Sequence, residues 1–120
     1  MGHYKDLLAC QKSYALAMKL FLVTKEFPPA ERYSLTDQIR RSSRSVCTNI
    51  AEAYKRRRYK DYFINKLNDA ETENAETQMW LDFCQDCQYI KAETYTILVS
   101  LNDEAAKLIW YMINNPDKFR

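Results

Sequence analysis

One glycine, three prolines and one histidine are all that this 120-residue chain holds of those residue types. Strand-rich folds turn often, and their turns draw on Gly and Pro, so a chain this poor in both favours a few long helices. The single His3 removes another class. Di-metal carboxylate bundles need a Glu-x-x-His motif from each of two helices, and one histidine near the N-terminus cannot supply them. Long apolar runs are missing too: "YALAMKLFLV" at 14–23 is interrupted by Lys19 and too short to span a bilayer. With no basic leader before an apolar segment, the expected compartment is the cytoplasm, and Cys10, Cys47, Cys84 and Cys87 are expected as reduced thiols.

What is present is apolar periodicity and charge. Apolar residues make up 47% and charged residues 28%, enough for one compact domain spanning 1–120 with a core that needs no disulfide or metal. A first helix is expected over about 4–25, with Leu7, Tyr14, Met18 and Phe21 on its inner face and Leu8, Ala15 and Leu22 beside them. "FPPAERY" ends it, and "SLTD" offers Ser34 as N-cap with Asp37 as a short capping box. A second helix, about 34–57, carries a seam at Ile39, Ser43, Val46, Ile50 and Ala53. The seam changes phase in "KRRRYKDY", which predicts a tight corner near 57–59. The third and longest helix, about 61–90, buries Phe63, Leu67, Ala70, Asn74, Thr77, Leu81 and Cys84, with Trp80 and Phe83 beside them. The fourth, about 93–114, uses Thr94, Leu98, Leu101, Ala105, Leu108 and Met112 before Pro116 stops it. Four amphipathic helices on short connections predict an all-α, antiparallel up-down four-helix bundle.

Candidate chemistry is sparse. "CQDC" at 84–87 lacks the βαβ setting of a redox motif, and reads as a core Cys84 beside an incidental Cys87. Asp69, Glu71, Glu73, Glu76, Asp82 and Asp86 crowd the third helix with no nucleophile, phosphate-cradling loop or activating histidine near them in sequence. The expectation is therefore a protein that is not an enzyme and uses no cofactor and no metal. The basic residues are more telling. Residues 1–60 hold 13 Lys and Arg against 5 Asp and Glu, a balance of +8, and residues 61–120 hold 5 against 11, a balance of −6. Arg40, Arg41 and Arg44 on the second helix and Lys55, Arg56, Arg57, Arg58 and Lys60 at the corner are the candidate nucleic-acid contacts. Tyr54, Tyr59 and Tyr62 are interleaved with them, and tyrosine rings can stack on unpaired bases. The alternative reading is a structural module in which basic and acidic helix faces meet between subunits, with Trp80, Trp110 and Tyr111 as interface anchors.

"FPxxExYxLTxQIRRSxxSVxxNIAE" at 27–52 and "AETQxWL" at 75–81 resemble the bacterial four-helix-bundle family named after proteins encoded within 23S rRNA intervening sequences. The resemblance covers nearly the whole chain. It implies a homo-oligomeric ring, often a pentamer, and a relation to accessory proteins of diversity-generating retroelements, with RNA or DNA and a reverse transcriptase as partners. Asn49, Glu52 and Glu76 fall on signature positions, where a role in holding the bundle together is expected ahead of ligand binding.

Overall fold

The computed structural model describes residues 2–120. A single 3₁₀ turn, Tyr4–Asp6, leads into α1 (Leu8–Thr24), followed by α2 (Leu35–Lys55), α3 (Lys60–Asp86) and α4 (Ala92–Asn114). Each helix packs on its two sequence or closing neighbours, α1 on α2 and α4, α3 on α2 and α4, and the backbones of the diagonal pairs stay apart. This is the antiparallel four-helix bundle the periodicity predicts, measuring 44 × 25 × 20 Å. No described helix is long and apolar enough to cross a membrane. His3 accepts the amide of Lys5 at 3.1 Å and its own amide donates to Asp6, so the sole histidine caps the first turn.

The helix ends differ from the expectation in instructive ways. Ser34 makes no side-chain cap; its hydroxyl instead donates to Glu31, and the amide of Leu35 donates to the same carboxylate at 3.3 Å. Pro29 opens the short turn, Pro29–Glu31, that brings Glu31 there. At the far end of α3 the helix stops at Asp86, four residues before the expected limit. Gln88 adopts φ 62°, and Tyr89 donates its amide back to Cys84 at 2.9 Å. That is a Schellman close with glutamine in the position usually given to glycine. The corner between α2 and α3 falls at 56–59, as the phase change predicts.

All five seam positions expected on α2 and all seven on α3 are buried. The inner face of α1 is a correction. Ala9, Cys10, Ser13, Leu16, Ala17, Leu20 and Thr24 face the core, whereas Leu8, Tyr14, Met18 and Leu22 lie outside, between 44% and 62% exposed. The helix is apolar nearly all round, so its pattern carries no polar face to orient it. Small Ala9, Ser13 and Ala17 turn inward because they let α2 and α4 approach closely. On α4 the stripe is rotated: Asn102 and Ile109 take deep positions, and Thr94, Leu101 and Leu108 are half-buried.

The core is two apolar clusters, one around Ile50, Phe63, Leu67 and Ile109, the other around Leu20, Ile39, Leu81 and Leu98. Between them lies a polar layer to which every helix contributes. Asn74 donates to the carbonyl and side-chain oxygens of Asn102 at 3.1 and 3.0 Å, and Asn102 donates to the carbonyl of Asn74 at 3.2 Å. Ser42 and Thr77 share a hydrogen bond of 2.8 Å, while the buried hydroxyl of Ser13 has no partner among the described residues.

Candidate nucleic-acid interface

The candidate basic residues lie along α2 and its C-terminal corner, but they are not equivalent. Arg41 is engaged within the chain. Its guanidinium donates to Glu73 at 2.9 Å and to Glu76, whose carboxylate also accepts the indole N–H of Trp80. The hydrogen bond to Arg41 holds the Glu73 carboxyl below its usual range, and Glu73 in turn pushes Arg41 higher. Lys60 pairs with Asp117 at 3.4 Å. These two cations tie together helices of the one chain.

The signature positions do the same. Asn49 donates to the Ser45 carbonyl at 2.9 Å and accepts from Lys66 of α3 at 3.5 Å; Glu52 bridges to the same lysine at 3.0 Å. Glu76 receives Arg41, as described. All three stand between α2 and α3.

At the corner, Lys55, Arg56, Arg57 and Arg58 have no carboxylate within 4.0 Å among the described residues. The three tyrosines form their scaffold. Arg57 lies 4.0 Å over the ring of Tyr54, Arg56 lies 4.9 Å over Tyr62 and 5.5 Å over Tyr59, and Arg58 is 5.8 Å from Tyr59. The rings thus present guanidinium groups to solvent rather than bare faces, and a stacked guanidinium is a planar, oriented donor. Arg57 is further fixed by donating to the Tyr54 carbonyl at 2.9 Å.

Arg120 joins this corner from the C-terminus, and nothing in its local sequence signals that. Its side chain donates to the carbonyls of Arg57 and Arg58 at 2.7 and 3.0 Å, closing a turn that no helix end satisfies. Asp117 bridges both Arg120 and Lys60, and each helps lower its carboxyl, Arg120 most strongly.

Elsewhere Cys84 is buried and desolvation pushes its thiol up to about 12, whereas Cys87 is exposed. Among the described residues no group of three His, Cys, Asp or Glu stands close enough to hold a metal ion.

A four-helix bundle whose second helix carries a basic flank along its length is the class that fold and site define. Residues 5–111 match the profile of the 23S rRNA-intervening sequence protein, and the chain belongs to that family. A crystal structure of a protein with unknown function from the S23 ribosomal protein family of Bacteroides thetaiotaomicron is similar over 92% of this chain and 98% of its own. The two share 32% identity with a TM-score of 0.81. Comparison with curated proteins gave no match.

Proposed function

We propose that this protein is a non-catalytic, oligomeric nucleic-acid-binding or accessory protein whose primary contact is the corner between α2 and α3. The observation that carries the reading is the set of cations at that corner with no carboxylate partner among the described residues, Lys55 with Arg56, Arg57 and Arg58, the three arginines mounted on Tyr54, Tyr59 and Tyr62. Unpaired arginines held in fixed planes suit phosphate oxygens, and phosphate contacts supply most sequence-independent affinity. Arg41 and Lys60 contribute less, because each already has a carboxylate. Fluorescence anisotropy with labelled structured RNA and duplex DNA at several salt concentrations tests it. Wild type should bind with an affinity that falls as salt rises, and a Lys55→Glu, Arg56→Glu, Arg58→Glu variant should lose binding while keeping its helical spectrum. Arg57 is spared because it holds the Tyr54 carbonyl. Binding that ignores salt, or that survives the triple reversal, sinks the reading.

A second reading, self-assembly, has its own support. Leu8, Tyr14, Met18 and Leu22 form an apolar stripe on the outside of α1, and a ring is what the family resemblance implies. The version in which basic α2 meets acidic α3 of a neighbour draws less support, since Arg41 reaches Glu73 and Glu76 of its own chain. The stripe is the better candidate for contact between copies; its Tyr14 and Met18 border a groove with Arg44, Thr48 and Ala51 of α2, and the two readings are compatible because Lys55, Arg56, Arg57 and Arg58 take no part in that groove.

A further inference from the structure

We infer that Lys25, Arg40 and Arg44, gathered round the ring of Phe21, form a phosphate-binding site that takes a phosphodiester of the nucleic acid contacting the corner. This rests on the nucleic-acid reading above and adds a second, separate contact to it. The Lys25 ammonium and the Arg40 guanidinium are each 4.9 Å from the Phe21 ring centroid, and the Arg44 guanidinium is 5.8 Å away. Three cations thus converge on one aromatic ring, and none has a carboxylate within 4.0 Å among the described residues. Arg41, one position along, meets two. All three line one groove, where like charges repel and an anion relieves that repulsion.

Arg40 is held ready. Its Nε donates to the Thr24 hydroxyl at 2.8 Å and its Nη2 to the Phe21 carbonyl at 3.4 Å. The Thr24 hydroxyl donates its own hydrogen to the Leu20 carbonyl at 2.7 Å, so its lone pairs face the arginine. Among the described residues Nη1 of Arg40 has no hydrogen-bond partner, and a donor already fixed in place loses little freedom on binding. The C-terminus of α1 favours cations and accounts for Lys25 and Arg40 being there. It does not account for Arg44, a turn further along α2.

The surroundings suit an anion. The three cations border a groove of about 840 Å³, to which Arg32 adds a fourth unpaired charge and Thr36, Ser45 and Thr48 add hydroxyls. Asp37 is the one carboxylate in its lining. The groove also lies on the same row of α2 as the corner. From Arg44 the row runs through Thr48 and Ala51 to Lys55, eleven residues or about 16 Å along the axis. The two intervening side chains are uncharged, and the nearby Glu52 is occupied by Lys66 at 3.0 Å. One nucleic-acid backbone can therefore cross both sites, roughly half a turn of duplex apart.

The test uses the full chain with Lys25→Gln and Arg44→Gln together, leaving Arg40 in place because it closes α1; Lys107→Gln, on exposed α4 surface, is the charge control. Against labelled duplex, the double variant should bind more weakly and the slope of log affinity against log salt should drop by about 1 to 2, with no comparable loss in the control. Separately, inorganic phosphate titrated at constant ionic strength should shift the Arg40 side-chain Nε–H resonance to saturation in wild type but not in the double variant. An unchanged slope and an unchanged phosphate response would overturn the inference, and loss of binding in the corner variant would then leave the nucleic-acid reading intact. If wild type binds no nucleic acid at all, that reading fails and the phosphodiester assignment fails with it. Saturable phosphate binding in that case would mark a site for free phosphate instead.

Discussion

Glu31 and Gln88 are two residues whose neighbours in sequence say little about what they do. Glu31 accepts from the Ser34 hydroxyl, from the Tyr89 hydroxyl at 2.8 Å and from the Leu35 amide, and these bonds, the Ser34 bond most of all, hold its carboxyl below the usual value of 4.5. A carboxyl lowered by folding adds stability above its unfolded pKa, and that stability is lost as pH falls through the folded value. Melting temperature followed between about pH 2.5 and 6 should therefore drop less steeply on the acid side in Glu31→Gln than in wild type. A residual fall is expected from Glu73, which Arg41 also lowers. Curves that run parallel throughout would show that Glu31 gains nothing from its partners. Gln88 holds φ 62° without being glycine, a conformation that costs an ordinary residue about 1–2 kcal/mol. Gln88→Gly should raise the urea midpoint by the equivalent of about 1 kcal/mol with the slope unchanged; a fall would mean that the side chain matters more than the backbone. With a single glycine in the chain, no local residue type announced that turn.

At the scale of elements, α2 and α3 were legible and α1 was not, for one reason. The outward faces of α2 and α3 are charged, so their inner seams stand out, including the polar members Asn74 and Thr77 that keep the 4, 3 spacing. On α1 the outward residues are as apolar as the inward ones, and the choice of face falls to neighbours that the local pattern does not contain. The Asn74–Asn102 pair shows the same limit on α4. Asn102 interrupts the apolar stripe and looks like a surface residue, yet it is 2% exposed because its partner lies on α3. The pair fixes the register of those helices, since a one-turn slip separates them. Asn74→Leu leaves the Asn102 carboxamide oxygen without its donor and should lower unfolding free energy by about 2 kcal/mol. Asn74→Leu with Asn102→Leu should recover part of that loss, which urea denaturation of both variants would reveal as a coupling. A single variant as stable as wild type would contradict the pairing.

For the whole molecule, folding brings the basic first half beside the acidic second half. Arg41 with Glu73 and Glu76, Lys66 with Glu52, Lys12 with Glu104 and Lys60 with Asp117 neutralise one another inside the chain. Among the described cations left without a carboxylate, Arg40, Arg44, Lys55, Arg56, Arg57 and Arg58 lie along α2 and its corner, and Tyr14 and Met18 of the α1 stripe border a groove with Arg44. The exposed apolar stripe of α1 yields a prediction about mass. Met18→Glu with Leu22→Lys, both at exposed positions, should leave the fold intact but reduce the molar mass seen by light scattering to that of one 14.3 kDa chain. A wild type that is itself monomeric, or a variant whose mass is unchanged, would remove α1 as the contact between copies.

The sequence by itself determined the helices, the antiparallel bundle, the seams of α2 and α3 and the tight corner. Those follow from periodicity and from where breakers stand, which are properties of neighbouring residues. Only the tertiary structure decided which face of α1 turns inward, that Arg41 is neutralised while Arg44 is not, and that Arg120 completes the corner from 62 residues away. It also decided that Lys25, Arg40 and Arg44 meet at Phe21. Charge pairing depends on distances across helices, and a local pattern of residues carries no such distance.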